Sequence, residues 1–246
     1  MKILFIDIET APNVAYVWGL FDQNIAHNQV EASSYVLCWS AKWLGNPANM
    51  FCSIKNDGVR VMLNAIHDLL DNADIVVHYN GCKFDIPTLN KEFVKHGMLP
   101  PAPYKQVDLL QVCRRAFRFE SNKLVSVVKA LGLGQKLDNH GFELWVGCMK
   151  GDAASWKKMQ QYNRMDVTLL ERLYHRLLPW ITRHPGVNAL SIRLSCPKCG
   201  SSKTQRRGEQ VALTKQYARY QCQTCGGWFR SNKAGKPSRL ERGVSL

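Results

Sequence analysis

Apolar residues recur along the chain with two different periods, and the changes between them mark out the elements. Ile3 to Ile8 is a nearly unbroken apolar run, read as a short strand buried on both faces of a largely parallel sheet. Tyr16 to Phe21, Tyr35 to Trp43 and Met50 to Ile54 are rich in aromatic and β-branched residues. They predict further strands, joined by turns at Asn24 and at Gly45-Asn46-Pro47. From Asp57 the period becomes helical: Val61, Met62, Ala65, Ile66, Leu69 and Leu70 share a face, with Asn56 or Asp57 as N-cap. Asp74 to Tyr79 predicts another short strand running into Asn80-Gly81, followed by a helix from about Phe84 to His96 with Pro87 in its first turns. Val107 ends a further strand. Asp108 with Gln111 predicts a capping box for a helix over Leu109 to Phe117, and Leu124 to Leu131 reads as a helix stopped by Gly132. Strands followed by alternating helices and strands predict an α/β fold on a mixed sheet flanked by helices.

Some acids break this pattern. The spacing predicts a long helix from Asp152, its N-cap, to about Leu178, with Trp156, Met159, Leu170, Leu173, Tyr174 and Leu177 on one face. Asp166 falls inside that apolar stripe, and Tyr162 lies one turn earlier on the same side. A buried carboxylate is costly unless it is paired or bound to metal. At the other end of the chain, Asp7 and Glu9 flank Ile8. Alternation along a strand sends both the same way, about 7 Å apart. Either the strand stops at Ile6 and both acids are solvated, or a cation sits between them; the stretch alone admits both readings. Asp85 opens its helix, where the helix dipole favours an acid. Taken together, Asp7, Glu9, Asp85 and Asp166 suit two divalent cations held by carboxylates, the arrangement used for in-line attack on a phosphodiester.

Three stretches carry a resemblance. Phe5-Ile6-Asp7-Ile8-Glu9-Thr10, Asn80-Gly81-Cys82-Lys83-Phe84-Asp85 and Tyr162-Asn163-Arg164-Met165-Asp166 resemble, in order and spacing, the three motifs of the DEDD 3′–5′ exonucleases of ribonuclease H-like fold. A tyrosine four residues before the last aspartate marks the DEDDy branch. Asp108-Leu109-Leu110 before Arg114-Arg115, and Lys123-Leu124 before Leu131-Gly132, look like the subfamily related to the exonuclease domains of family B polymerases. The resemblance covers roughly residues 1–180 and implies that Asp7, Glu9 and Asp166 ligate two Mg²⁺ or Mn²⁺ ions. It implies further that Asp85 serves the second ion directly or through water, and that Tyr162 orients the attacking water. Asn80 and Lys123 would touch the substrate strand, although the residues themselves favour a helix cap for Asn80 and a solvated lysine for Lys123. Asp108 is assigned to helix capping.

Cysteine spacing defines a second module. Cys38, Cys52, Cys82, Cys113 and Cys148 are scattered through apolar surroundings, as small buried hydrophobes are. Cys196-Pro-Lys-Cys199 and Cys222-Gln-Thr-Cys225 form two knuckles separated by twenty-two residues, the spacing of a closed structural Zn²⁺ ribbon. Unpaired thiols of this kind suit a reducing cytoplasm, bacterial or that of a virus-infected host. The division expected is a nuclease domain over 1–184, a linker over 185–189 opened by Pro185-Gly186, the ribbon over 190–232, and a basic, disordered tail over 233–246.

Charge points to the partner. The formal net charge is +14, and residues 190–246 hold twelve Lys/Arg against only Glu209 and Glu241. So concentrated a basic block predicts a polyanion, nucleic acid before membrane; the resemblance to the DEDDy branch is what puts DNA before RNA. Arg206, Arg207, Lys215, Arg219 and Arg230 are the candidate phosphate contacts, interleaved with Tyr217 and Tyr220; Trp228 and Phe229 are assigned to the ribbon's small core. No run is long or apolar enough to span a bilayer, and Asp7 and Glu9 interrupt the N-terminal apolar stretch too early for a signal peptide. The function expected is a 3′–5′ exonuclease. The alternatives are a nucleic-acid-binding or recruitment platform without turnover, and a ribonuclease or endonuclease using the same site. With no polymerase segment in the sequence, a polymerase or a replication or recombination protein would be a partner in trans.

Overall fold

The computed structural model describes residues 1–135, 141–188, 194–212 and 215–233. All but one residue of the expected 233–246 tail, and the end of the expected 185–189 linker, lie outside the described residues. Two compact units divide the chain, Met1–Tyr174 and His175–Leu246, so the division falls inside the last long helix, ahead of Pro185-Gly186.

In the first unit the strands are β1 (Ile3–Thr10), β2 (Val14–Ala15), β3 (Val30–Ala32), β4 (Val36–Trp43) and β5 (Asn49–Ser53). They are followed by α1 (Gly58–Asp71), β6 (Ile75–His78), α2 (Asp85–Lys95), β7 (Lys105–Asp108), α3 (Leu109–Ala116), α4 (Leu124–Ala130), α5 (Glu143–Met149) and α6 (Ala153–Leu177). Five strands form one sheet in the order β5-β4-β1-β6-β7. β4 runs antiparallel to β1 and β5, whereas β6 runs parallel to β1 and β7, so the sheet is mixed. The apolar run at the N-terminus thus forms the middle strand, where both edges are hydrogen-bonded and both faces are covered.

Alternation along β1 assigns its side chains to two layers. Leu4, Ile6 and Ile8 pack with Met62, Leu63, Ile66 and Leu70 of α1 and Ile86, Leu89 and Phe93 of α2. Phe5, on the opposite face, meets Tyr174 of α6 edge-on at 5.3 Å. On that side Leu37 and Cys38 of β4 pack with Leu144 and Cys148 of α5 and Trp156, Met159 and Tyr162 of α6. Asp7 and Glu9 follow Phe5 by the same alternation and so belong to the α5/α6 side.

The predicted helices and most strands form within a residue or two of the expected bounds. Asp108 accepts from the N–H groups of Leu110 and Gln111, capping α3, and Asp152 accepts from Ser155 N at the start of α6. Asp57 does not cap its own helix; its carboxylate instead takes the N–H of Ser53. Tyr16 to Phe21 is not a strand. Only Val14 and Ala15 pair, with β3, and beyond them Trp18 is 100% exposed. Strand propensity was not enough there: the stretch joins none of the sheets, and β1, the strand before it in sequence, has both edges taken by β4 and β6. Helix α5 was not expected; it is tied to α6 by a Trp156 Nε1–H bond to the carbonyl of its Cys148 at 2.9 Å.

The second unit holds a three-stranded sheet, β8 (Thr204–Val211), β9 (Gln216–Cys222) and β10 (Trp228–Arg230), in the order β10-β9-β8. Tyr220 and Phe229 stack at 5.5 Å, as a small core requires, but Trp228 is not part of it. It is 46% exposed and lies under the Arg219 guanidinium, because the residue after an exposed strand position points to the other face.

Replacing Phe5 by Ala is expected to destabilise the first unit by about 3–5 kcal/mol, because the void faces the middle of the sheet. Trp18→Ser should change stability by no more than about 0.5 kcal/mol. Urea denaturation of the two variants checks both; a large loss for Trp18→Ser would mean that this segment is packed after all.

Candidate functional site

Parallel pairing brings the C-terminal ends of β1, β6 and β7 to one edge of the sheet, the usual location of sites in such folds. Asp7 and Glu9 end β1, Asn80 follows β6, Asp108 ends β7, and α2 begins at Asp85.

Carboxylate oxygens of Asp7, Glu9 and Asp166 all lie within 4.8 Å of one another. The convergence follows from the two periodicities: β1 turns Asp7 and Glu9 toward α6, and α6 turns Asp166 and Tyr162 inward with its apolar stripe. Asp166 and Tyr162 are both buried. Two residues that sequence reasoning did not single out hold the carboxylates. The side-chain N–H of Asn163 donates to Asp7 Oδ2 at 2.6 Å and to the Asp7 carbonyl at 3.2 Å. The indole N–H of Trp145 donates to Glu9 Oε2 at 3.1 Å, and its ring meets Tyr162 edge-on at 5.9 Å. Asn163 is fully buried on an otherwise apolar helix face, a signal of the same kind that exposed Asp166; Trp145 gave no comparable signal.

Asp85 comes from a different element. It opens α2, which packs on the other face of β1, and its Oδ1 accepts from the Ile8 N–H at 3.1 Å. Burial pushes its carboxyl up to about 7, against the Ile8 N–H, which acts to lower it. Asn80 adopts a left-handed backbone with φ 67°, donates its N–H to Asp108 Oδ1 and accepts from Lys83 N and Phe84 N. Its backbone therefore shapes the turn into α2. A Cβ on the following Gly81 would come within 2.4 Å of the His78 ring, so this turn requires glycine. Lys123 is exposed at the start of α4, where its carbonyl accepts from Ser126 N and Val127 N.

The donor sets fit different ions. Three converging carboxylates offer only hard oxygen ligands, the type that Mg²⁺ and Mn²⁺ take. A second group, His78, Cys82 and Asp108, is less suited: the Gly81 N–H already occupies Nδ1 of His78, and Gln106 Oε1 lies 2.9 Å from Nε2. In the second unit the thiols of Cys196, Cys199, Cys222 and Cys225 gather within 4.8 Å, with Cys196–Cys225 at 3.7 Å and Cys199–Cys222 at 3.6 Å. A tetrahedral ion with metal–sulfur bonds of about 2.3 Å needs sulfur–sulfur edges of about 3.8 Å, so the set fits a thiophilic ion with no open position. Burial opposes ionisation of Cys222, but N–H groups of Cys225 and Thr224 aimed at its sulfur bring it down to about 7. Near the carboxylates, burial and the charge of Glu9 hold the Cys38 thiol well above its ordinary value, leaving it a packing residue. Arg206, Arg207, Arg219 and Arg230 lie on β8, β9 and β10, exposed, and Lys215 stands at the β8–β9 turn, its carbonyl accepting from Ala212 N.

Asp85 gives a signed pH effect. In protein dialysed free of divalent ions, the folded state holds a proton at Asp85 up to about pH 7, whereas the unfolded chain releases it near 3.8. The stability it contributes is full below the unfolded value and is lost as pH rises through about 7, with a slope of at most about 1.4 kcal/mol per pH unit. Asp85→Asn keeps an acceptor for the Ile8 N–H and has no proton to lose, so its Tm is expected to fall less than the wild type's between pH 4 and 8. Parallel Tm curves for the two proteins would refute this assignment.

Comparison with known proteins agrees with this geometry. The family described as the RNase_H superfamily matches residues 4–178. No curated protein matches the chain. Among solved structures, the fold is similar to that of the family B DNA polymerase from the hyperthermophilic archaeon Pyrobaculum calidifontis. The TM-score is 0.55 and the identity 17%, over 72% of this chain and 24% of the polymerase chain. The chain therefore spans about a quarter of that polymerase, and at this identity the likeness concerns the fold alone. The matched span runs from β1 through α6 and takes in every carboxylate of the cluster, and on that match the chain belongs to the RNase_H superfamily, with its nuclease-type fold.

Proposed function

We propose that the chain is a metal-dependent 3′–5′ exonuclease that hydrolyses phosphodiester bonds of DNA, at single strands or 3′ ends. Residues 1–184 would form the nuclease unit and residues 190–232 a zinc ribbon that aids nucleic-acid binding. The observation that carries the reading is the convergence of Asp7, Glu9 and Asp166 within 4.8 Å. Polarity and the preference for DNA rest on the three motifs and their resemblance to the DEDDy branch.

In this reading Asp7, Glu9 and Asp166 hold the cations, and Asp85 serves the second of them. Two Mg²⁺ or Mn²⁺ ions, when bound, supply Lewis acidity at the attacking and departing oxygens. The rest falls to the chain. Asn163 fixes the rotamer of Asp7 through its 2.6 Å hydrogen bond, and Trp145 does the same for Glu9 at 3.1 Å, so the carboxylates are preorganised before substrate arrives. Tyr162, one helical turn before Asp166, orients the attacking water. Cys196, Cys199, Cys222 and Cys225 hold one Zn²⁺, which has a structural role because four thiolates close its coordination.

Side-by-side digestion of end-labelled single- and double-stranded DNA and RNA in Mg²⁺ or Mn²⁺ is the test. Mononucleotides released from 3′ ends of DNA are expected, with Asp7→Ala slower by about a thousandfold or more. Labelled single strands left intact with either metal would defeat the enzymatic reading in favour of a binding platform, and cleavage of a circular single strand would make it an endonuclease.

The zinc assignment has its own readout. Cys222→Ser is expected to lower zinc content from one ion per chain to nearly none and to open the ribbon to protease, while the nuclease unit stays resistant. Full zinc retention in that variant would contradict a four-cysteine site.

A further inference from the structure

The ribbon sheet has two unlike faces. Directly opposed residues of an antiparallel pair share a face. Tyr220 lies opposite Phe229 and Arg206, and Ala218 opposite Glu209, so these residues share the side of the small core. There Arg206 is already paired with Glu209 at 3.2 Å. The other side carries Arg219 opposite Arg230, and Gln221 opposite Trp228 and Gln205. Tyr217 joins it by alternation from Arg219, and Arg207, whose Nε–H donates to Gln205 Oε1 at 3.1 Å, turns to the same side. Among the described residues this second face holds three arginines and no carboxylate.

Two of those arginines are stacked on rings. The Arg230 guanidinium lies 3.9 Å from the Tyr217 ring centroid, and that of Arg219 lies 5.2 Å from the centroid of Trp228. Arg219 is also tied down by an Nε–H bond to the Arg207 carbonyl at 2.9 Å. A guanidinium lying over a ring can still offer its terminal NH2 groups to phosphate, and exposed rings beside it can stack on a base. The side chains are ordered before any ligand arrives, which lowers the entropy cost of binding.

We propose that this face, built on Arg207, Tyr217, Arg219, Trp228 and Arg230, is a binding platform for single-stranded nucleic acid, and that Arg206 takes no part. Charge selects a polyanion, and exposed Trp228 with Tyr217 beside the arginines selects one with unpaired bases, because in a duplex the base faces are already covered. The assignment deepens the proposed function by giving the ribbon's binding role to one face and one class of ligand.

The test uses the full chain carrying Asp7→Asn, which blocks cleavage, with fluorescein-labelled oligothymidylate read by anisotropy; zinc content and circular dichroism confirm that each variant is folded. Trp228→Ala is expected to weaken binding by about fivefold to a hundredfold, and Trp228→Phe to restore most of it. Arg219→Gln with Arg230→Gln should flatten the dependence of log affinity on log salt by about 1.4. Arg206→Gln should stay within twofold of the parent. The proposal is overturned if Arg206→Gln weakens binding as much as the Arg219/Arg230 pair, if Trp228→Ala has no effect, or if a duplex of equal length binds as tightly. Displacement of the oligonucleotide by polyglutamate at equal charge concentration would also overturn it, in favour of an acidic protein surface. Oligonucleotide binding by the wild-type chain with no digestion in Mg²⁺ or Mn²⁺ would sink the exonuclease reading alone; digestion by the wild-type chain with unchanged Trp228→Ala binding would sink this one alone.

Discussion

Carboxylates brought within 4.8 Å of one another repel, and repulsion grows as water is excluded from around them. The first unit is arranged around keeping Asp7, Glu9 and Asp166 together under that constraint. Asp7 and Glu9 sit on the middle strand of a sheet, whose backbone cannot shift without breaking hydrogen bonds on both edges. Asp166 sits on a long helix whose apolar stripe is pressed to the same face. The backbone thus opposes the repulsion, and a divalent cation is the species that turns it into attraction.

The side chains around the cluster serve the same end. Asn163 and Trp145 each give one N–H to a carboxylate, limiting rotation without neutralising charge. Asp85, bound to the backbone N–H that follows Asp7, is the exception: its burial favours the protonated form until a cation or a rise in pH draws the proton away. The neighbouring thiols are held protonated by burial and by Glu9, so the chemistry available at this edge is that of carboxylates.

The second unit solves a different problem. Its sheet has three short strands and a core of little more than Tyr220 and Phe229, too small to be stable by apolar burial alone. Four converging thiols supply the missing constraint. If those thiols ligate a metal, as proposed, the other sheet face is released from core duty and can carry arginines and open rings.

Local pattern was enough for much of this. The unbroken run Ile3 to Ile8 specified a central strand, and the displaced Asp166 announced a buried carboxylate because a helix has one period and a charge on its apolar side has few explanations. The two C-x-x-C pairs specified a four-thiol group in the same way. What the sequence left open depended on neighbours far away along the chain. Tyr16 to Phe21 has strand propensity, yet whether it pairs depends on which strands lie beside it in space, and β1 takes β4 and β6 instead. Trp145 reaches Glu9 across 136 positions of sequence, and no local period marks such a contact. Asp85 was legible as an acid at a helix start, but its bond to the Ile8 N–H, 77 positions away, was not. In the ribbon, composition alone could not tell Trp228 from Phe229; strand pairing did, because successive residues must point to opposite faces. Local period and spacing sufficed for most elements, Tyr16 to Phe21 and α5 excepted, and for the identities of the chemical groups. Which groups meet was settled only by the tertiary structure, because that depends on layer and register.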